Sequence, residues 1–282
     1  IDGIQTSLLA DSFRCGGFAA VAAVWDVDSG RHLGDRGGQP VSLCRRTDDQ
    51  RDLADRRVER YWMLLGTLNG WPTREPGVPA FEWFAAALRA RLRLPVIGAP
   101  LFIISVPDLV IAQCKAGVVG SFPALNARPP ELLDEWLYRI KEELAAYDKA
   151  HPERPSAPFA VNQIVHKSNN RLDHDMALCE KHKVPMIISS LGAREELNQA
   201  VHGWGGIVFH DVINQKFAHK AIEKGADGLI LVAAGAGGHA GTLSPFPFVS
   251  ETRQWFDGPI ALSGTIANGR AIRAARIIGA DF

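Results

Sequence analysis

GLILV at residues 228–232 runs without a break into AAGAGGHAG at 233–241. The first piece is a short apolar run of the length of a buried strand. The second removes nearly every side chain, so the backbone can approach a flat or anionic ligand closely, and one imidazole, His239, stands out from it. A solvated glycine-rich loop would carry the same letters, so the reading turns on the rest of the chain.

Outward from this stretch, short β-rich runs alternate with longer helical patterns. Toward the N-terminus the runs are 95–99, 118–122, 159–164, 185–189 and 206–210. Their helices are expected at 107–116, 130–149, 172–183, 193–202 and 215–224. Toward the C-terminus a helix near 249–256 follows the glycine loop, then a run at 259–263 and a helix at 269–278. An amphipathic helix at 81–92 precedes the series. Seven successive strand–helix units imply a parallel sheet covered by helices, and seven in a row predict a (β/α)8 TIM barrel over an open sheet. A doubly wound sheet with a dinucleotide fingerprint would place GxGxxG after the first strand, where this chain has GAPLF.

Composition narrows the function. The 282 residues are 46% hydrophobic and 22% charged, enough for a substantial core. Lys+Arg and Asp+Glu both count 31, so no overall charge favours nucleic acid or an anionic membrane, and a small-molecule partner is expected. Cys15, Cys44, Cys114 and Cys179 have no metal-ligand spacing, which reads as reduced thiols and no metal site. No long apolar span or signal peptide is evident, giving a cytoplasmic expectation. Neither a GxSxG elbow nor an HExxH zinc motif occurs.

Residues 1–80 differ in texture, with ten arginines and no lysine before Lys115. LLADSF, GGFAAVAAVWDV and 55–65 could form short elements, while DSGRHLGDRGGQP and GWPTREPGVP read as loops. This extension is either a poorly ordered segment or sequence not native to the domain, such as a translated shifted frame. The domain proper is taken as 81–282.

In a barrel the loops at the C-terminal strand ends build the site. Those positions hold Gly98, Ala99 and Pro100; Asn162 and Gln163; Ser189 and Ser190; His210 and Asp211; Gly235 to Gly241; and Ser263, Gly264 and Thr265. Asn162 would be costly to bury unpaired, so it should meet a polar ligand or a backbone group. Ser263-Gly264-Thr265 leads into a helix N-terminus, where barrels commonly bind phosphate, which favours a phosphorylated cofactor. His166, His174, His182, His202 and His219 read as solvated or locally bonded, and Asp173, Asp175, Glu195 and Glu196 as helix-start charges.

PVIGAP (95–100), GSFPALNARPPELLDEW (120–136), PFAVNQ (158–163), GIVFHDV (206–212), KGADGLI (224–230), GAGGHAG (235–241) and PIALSGTIANGRAI (259–272) with GAD (279–281) occur in this order. Together they resemble the nitronate monooxygenase, or 2-nitropropane dioxygenase, family over roughly residues 90–282. The resemblance implies an FMN-containing barrel that oxidises alkyl nitronates with dioxygen to a carbonyl compound and nitrite. It implies His239 as the active-site histidine, and Asn162, Gly238 and Gly264 at positions that line or hold FMN. The cofactor contacts expected on this basis are Gly98, Ala99, Pro100, Asn162, Asp211, Gly237, Gly238, Ser263, Gly264 and Thr265. The chain departs from the family at Gly98-Ala99-Pro100, where a glutamine and two glycines are common, at Asp211, where lysine is common, and at Thr265, where glycine is common.

The expected function is therefore a flavin oxidoreductase acting on nitronates, with a homo-oligomer as one expected state. An FMN-dependent enoyl thioester reductase using NADH and a catalytically inactive barrel are the alternatives. Because the pattern calls for an eighth strand and helix after Phe282, the chain reads as truncated after its seventh unit, with weak FMN binding and association through the gap expected.

Overall fold

The computed structural model of this chain describes residues 91–238 and 241–282, Leu88, and the two-residue strands Trp25–Asp26, Arg31–His32, Thr67–Leu68 and Trp71–Pro72. Contacts divide the chain into two units, 1–67 and 68–282. In the first, Trp25–Asp26 pairs antiparallel with Arg31–His32. The helix expected at 55–65 lies outside the described residues. So does most of the helix at 81–92, where the bond from Leu92 N to Leu88 O has helical spacing.

The second unit alternates helix and strand: α1 Pro107–Ala116, β1 Gly120–Pro123, α2 Leu132–Ala150, β2 Phe159–Ile164, α3 Leu172–Lys181, β3 Met186–Ser190 and α4 Glu195–Gly203. There follow β4 Ile207–Val212, α5 Gln215–Glu223, β5 Gly228–Val232, α6 Pro245–Arg253, β6 Ile260–Ser263 and α7 Gly269–Ile277. The six strands lie side by side in chain order, and all pair in parallel. The unit is thus an α/β structure built on a curled parallel sheet, part of a barrel.

Both edges of the sheet continue. The run expected as a strand at 95–99 is reduced to one parallel bridge, Ile97 to Val119, held by Val119 N to Val96 O and Gly98 N to Val119 O. Pro95 and Pro100 bracket it, and neither has an N–H to extend a ladder. At the other edge Leu262 N donates to Phe282 O and Phe282 N to Ile260 O, so Asp281 and Phe282 lie alongside β6.

Side chains sort by the two-residue period of each strand. Val119, Ala160, Met186, Ile188, Ile207, Phe209 and Ala261 gather on the concave side with Leu88, and Ile97, Ile230 and Phe282 pack against them. Phe122, Phe159, Val161, Ile187 and Val208 face the helices, where Leu133, Leu137, Ile140 and Leu144 form the buried stripe of α2. Leu229, Leu231, Ile260 and Leu262 do the same toward α5 and α6. Inside the curve the Phe209 ring lies where a Cβ at position 228 would stand, so β5 is accommodated only because Gly228 has no side chain.

Cys114 and Cys179 are free and buried, and burial pushes both thiols up to about 12. They are packing residues held as thiols.

Candidate functional site

The strand period divides each polar pair at the C-terminal strand ends. Asn162 shares the concave face with Ala160, Ser190 with Met186 and Ile188, Asp211 with Ile207 and Phe209, and Ser263 with Ala261. Their neighbours Gln163, Ser189 and His210 share the helix-facing side with Val161, Ile187 and Val208. Gln163 accordingly bonds Cys179 of α3, and His210 Nδ1 bonds the Ser189 carbonyl. His210 therefore leaves the candidate site, while Asp211 stays.

Three of the concave-face residues are joined. Asn162 Nδ2 donates to Ile188 O at 3.0 Å and to Ser190 Oγ at 2.7 Å, and Ser190 Oγ donates to Asp211 Oδ2 at 2.6 Å. Asn162 and Ser190 are 7% and 5% exposed, so this chain crosses β2, β3 and β4 largely out of solvent. Asn162 thus meets both a backbone carbonyl and a side chain, as its burial required.

A second group clasps the loops after β5 and β6. Ala233 N donates to Ser263 O at 2.8 Å, and Thr265 Oγ1 donates to Gly235 O at 2.9 Å. A Cβ at Gly264 would lie 3.1 Å from Ala234 O, so the two backbones run against each other there. Among the described residues the N–H groups of Gly264, Thr265, Ile266 and Ala267 donate to no other group. The amides of Arg270 and Ala271, at the start of α7, are already taken by the Asn268 side chain at 3.1 Å each. Any anion at this end is offered the loop amides ahead of the helix rather than these two. Gly237 and Gly238 are exposed, with open space where a Cβ would stand. His239 lies outside the described residues.

Thr265 has φ of 60°, the left-handed region that a β-branched residue adopts only under strain. Its hydroxyl bond to Gly235 offsets that strain. In urea unfolding, Thr265→Ala should lose about 1 kcal/mol while Thr265→Gly, which relieves the strain as it loses the bond, stays within about 0.5 kcal/mol of the parent. Equal losses would show that the backbone at 265 is unstrained.

The third group follows the first edge. Gly98 O accepts from Ser121, and Ala99 O from Ser105 at 3.4 Å. Beyond Pro100 the loop Leu101–Ile104 is pinned by Asn126, whose Oδ1 accepts from Ile103 N and whose Nδ2 donates to Leu101 O and Ser105 O. Its four side chains are nonetheless exposed, Ile103 at 71%. Holding apolar side chains in water on a fixed backbone is a feature that strand and helix patterns did not flag. Its signal was the apolar run LFII directly after a strand end. No described hydrogen bond joins the three groups to one another.

The remaining histidines are engaged elsewhere. His166 bonds Ser168, His174 bonds Asp175, His182 bonds Asp134, His202 bonds Asp227, and His219 stacks on Trp255. Hydrogen bonds from Lys181 and His182 hold the Asp134 carboxyl below its ordinary value. A groove of about 480 Å³ is lined by Leu94, Pro95 and the α7 residues Ile272, Arg273, Arg276 and Ile277. It runs from the residues entering the first strand along α7 from its first residue, Gly269, to its last, Ile277. Among the described residues no helix is long and apolar enough to cross a membrane.

No protein-family model matches the chain. A curated relative, (3aS,4S,5R,7aS)-5-hydroxy-7a-methyl-1-oxo-octahydro-1H-indene-4-carboxyl-CoA dehydrogenase of Rhodococcus jostii, is 24% identical over 186 residues, 66% of this chain and 49% of that protein. Among solved structures, FabK from Thermotoga maritima is 24% identical with a TM-score of 0.57, over 67% of this chain and 56% of the other. Nitroalkane oxidase from Streptomyces ansochromogenes is 21% identical with a TM-score of 0.59, over 69% and 65%. This chain therefore spans about half the length of the curated relative it matches. The likeness to the solved structures is one of fold. The dehydrogenase and the nitroalkane oxidase are both oxidoreductases by name.

Proposed function

We propose that this chain carries the flavin site of an FMN-dependent oxidoreductase built on a (β/α)8 barrel, and that its substrates are alkyl nitronates. The observation that carries the reading is the clasp of the loops after β5 and β6, which sets the amides of Gly264 to Ala267, without a partner among the described residues, and the bare backbone of Gly237 and Gly238 at the same end of the sheet as Asn162 and Asp211. Glycine-lined backbone suits a flat ring system, and clustered loop amides suit a phosphate. The donor set therefore fits FMN. Likeness to a nitroalkane oxidase favours the nitronate substrate.

In this reading Gly264 and its loop hold the phosphate, and Asn162 and Asp211 contact the ring system. His239, on the loop between Gly238 and Gly241, binds the nitro oxygens or removes the α-proton of a neutral nitroalkane. Bound FMN would supply the electron-transfer chemistry. A nitronate is already a stabilised carbanion, so the remaining work of these residues is to orient it and to admit dioxygen.

The test is direct. The purified chain should quench FMN fluorescence on titration and, with FMN in excess, consume dioxygen when given a nitronate. NADH oxidation that depends on an enoyl thioester would instead favour the reductase, and a colourless, inert protein would overturn both. Gly264→Ala puts a side chain at φ of 158° and within 3.1 Å of Ala234 O, so it should cost about 1 kcal/mol of folding stability and weaken FMN binding by clearly more than that, about a hundredfold. Parallel losses of affinity and melting temperature would mean that Gly264 is a turn residue only.

A further inference from the structure

The amide of Asn162 has only one consistent orientation. Ile188 O is an acceptor and nothing else, so the Asn162 atom 3.0 Å from it must be the nitrogen. Both amide hydrogens are then engaged, one by Ile188 O and one by Ser190 Oγ. A hydroxyl that accepts from Asn162 has one proton left to give, and Asp211 Oδ2 lies 2.6 Å away to receive it. The order Asn162 to Ser190 to Asp211 follows, and it ends on an accepting carboxylate oxygen. Asn162 Oδ1 is left with no donor among the described residues, and it is not among the atoms sealed from solvent without a partner.

We propose that Ser190 is a positioning residue that holds Asn162 with its carbonyl oxygen, rather than its N–H, presented to the ligand at the strand ends, so that the ligand edge bound there carries a hydrogen-bond donor. Naming that edge as the imide N–H of a flavin rests on the reading above. The orientation itself is a property of the protein alone. Ser190 touches no reacting atom in this scheme. Without its hydroxyl, Asn162 loses one acceptor and Asp211 one donor, and the amide is free to turn.

Two measurements on the full chain separate orientation from ligand identity. Without ligand, the side-chain amide of Asn162 should show two inequivalent, exchange-protected protons by ¹⁵N-edited NMR. Ser190→Ala should strip protection from one of them and Ser190→Thr restore it. Unchanged Asn162 signals in Ser190→Ala would overturn the proposal. Next, FMN and N3-methyl-FMN are titrated by fluorescence. The parent should prefer FMN by about tenfold or more, and Ser190→Ala should reduce that ratio to about threefold or less, as expected when a buried acceptor loses its fixed orientation. Equal affinity of the parent for both flavins would overturn the donor-edge assignment. If neither flavin binds, the flavin reading falls and the amide signals alone decide the role of Ser190.

Discussion

Gly241→Ala should lose both flavin retention and about 3 kcal/mol of folding stability, the upper end for an overpacked site. A Cβ at 241 would stand 2.1 Å from Val232 O, a distance no carbon–oxygen contact tolerates. The oxygen cannot retreat easily. Val232 is the last residue of β5 and is paired in register with Ser263 of β6. The loop must therefore lift instead, and with it the bond from Ala234 N to Leu243 O that closes the loop beyond the strand. Gly237→Ala is the matched control, because a methyl there meets nothing within 4 Å. It should leave the melting temperature unchanged and reduce FMN affinity alone if the ring system lies over this loop. A Gly241→Ala protein with parental melting temperature and full yellow colour would remove the close approach from the account.

The same stretch shows how far the chain's letters reach. β2 and β5 begin and end where their apolar runs do. α6 begins at Pro245, four residues before the helical pattern becomes visible. Pro245 and Pro247 read as loop, yet in the first turn of a helix an N–H has no partner to lose, so proline is tolerated there. The first strand was overestimated for the opposite reason. PVIGA has strand composition, but the flanking prolines restrict its pairing to a single bridge.

In the site, the polar residues at the strand ends were legible as pairs, and their division was not. Asn162 with Gln163, Ser189 with Ser190 and His210 with Asp211 each place one member on either side of the sheet. Extending the alternation from Val161, Ile187 and Val208 would have separated them. The bridge through Ser190 depends on the stagger between neighbouring strands, with Ile164 opposite Ser190 and Asp211 opposite Ile230, and spacing along a single strand carries no trace of it.

His239→Ala should keep FMN bound and lower turnover about 100-fold or more, the scale of losing a positioned general base. The loop that carries it is anchored at both ends. Its near end is tied to β6 through Ala233 and Gly235, and its far end is seated against Val232 at Gly241, so neither anchor depends on the imidazole. Flavin retention should therefore survive the substitution even though the chemistry does not. Substrate choice then separates the two roles open to this histidine. With a neutral nitroalkane the imidazole must be unprotonated to accept the α-proton, so the parent rate should rise with pH as that single proton is lost and then flatten. The alanine variant should lose that limb. With a preformed nitronate no proton is removed, and a protonated imidazole would favour the anionic nitro group, so the dependence should run the other way and the rate fall as pH rises. Loss on the nitroalkane alone assigns His239 to proton removal, and loss on both assigns it to binding the nitro oxygens. Unchanged turnover on both substrates, at every pH, would take His239 out of the mechanism.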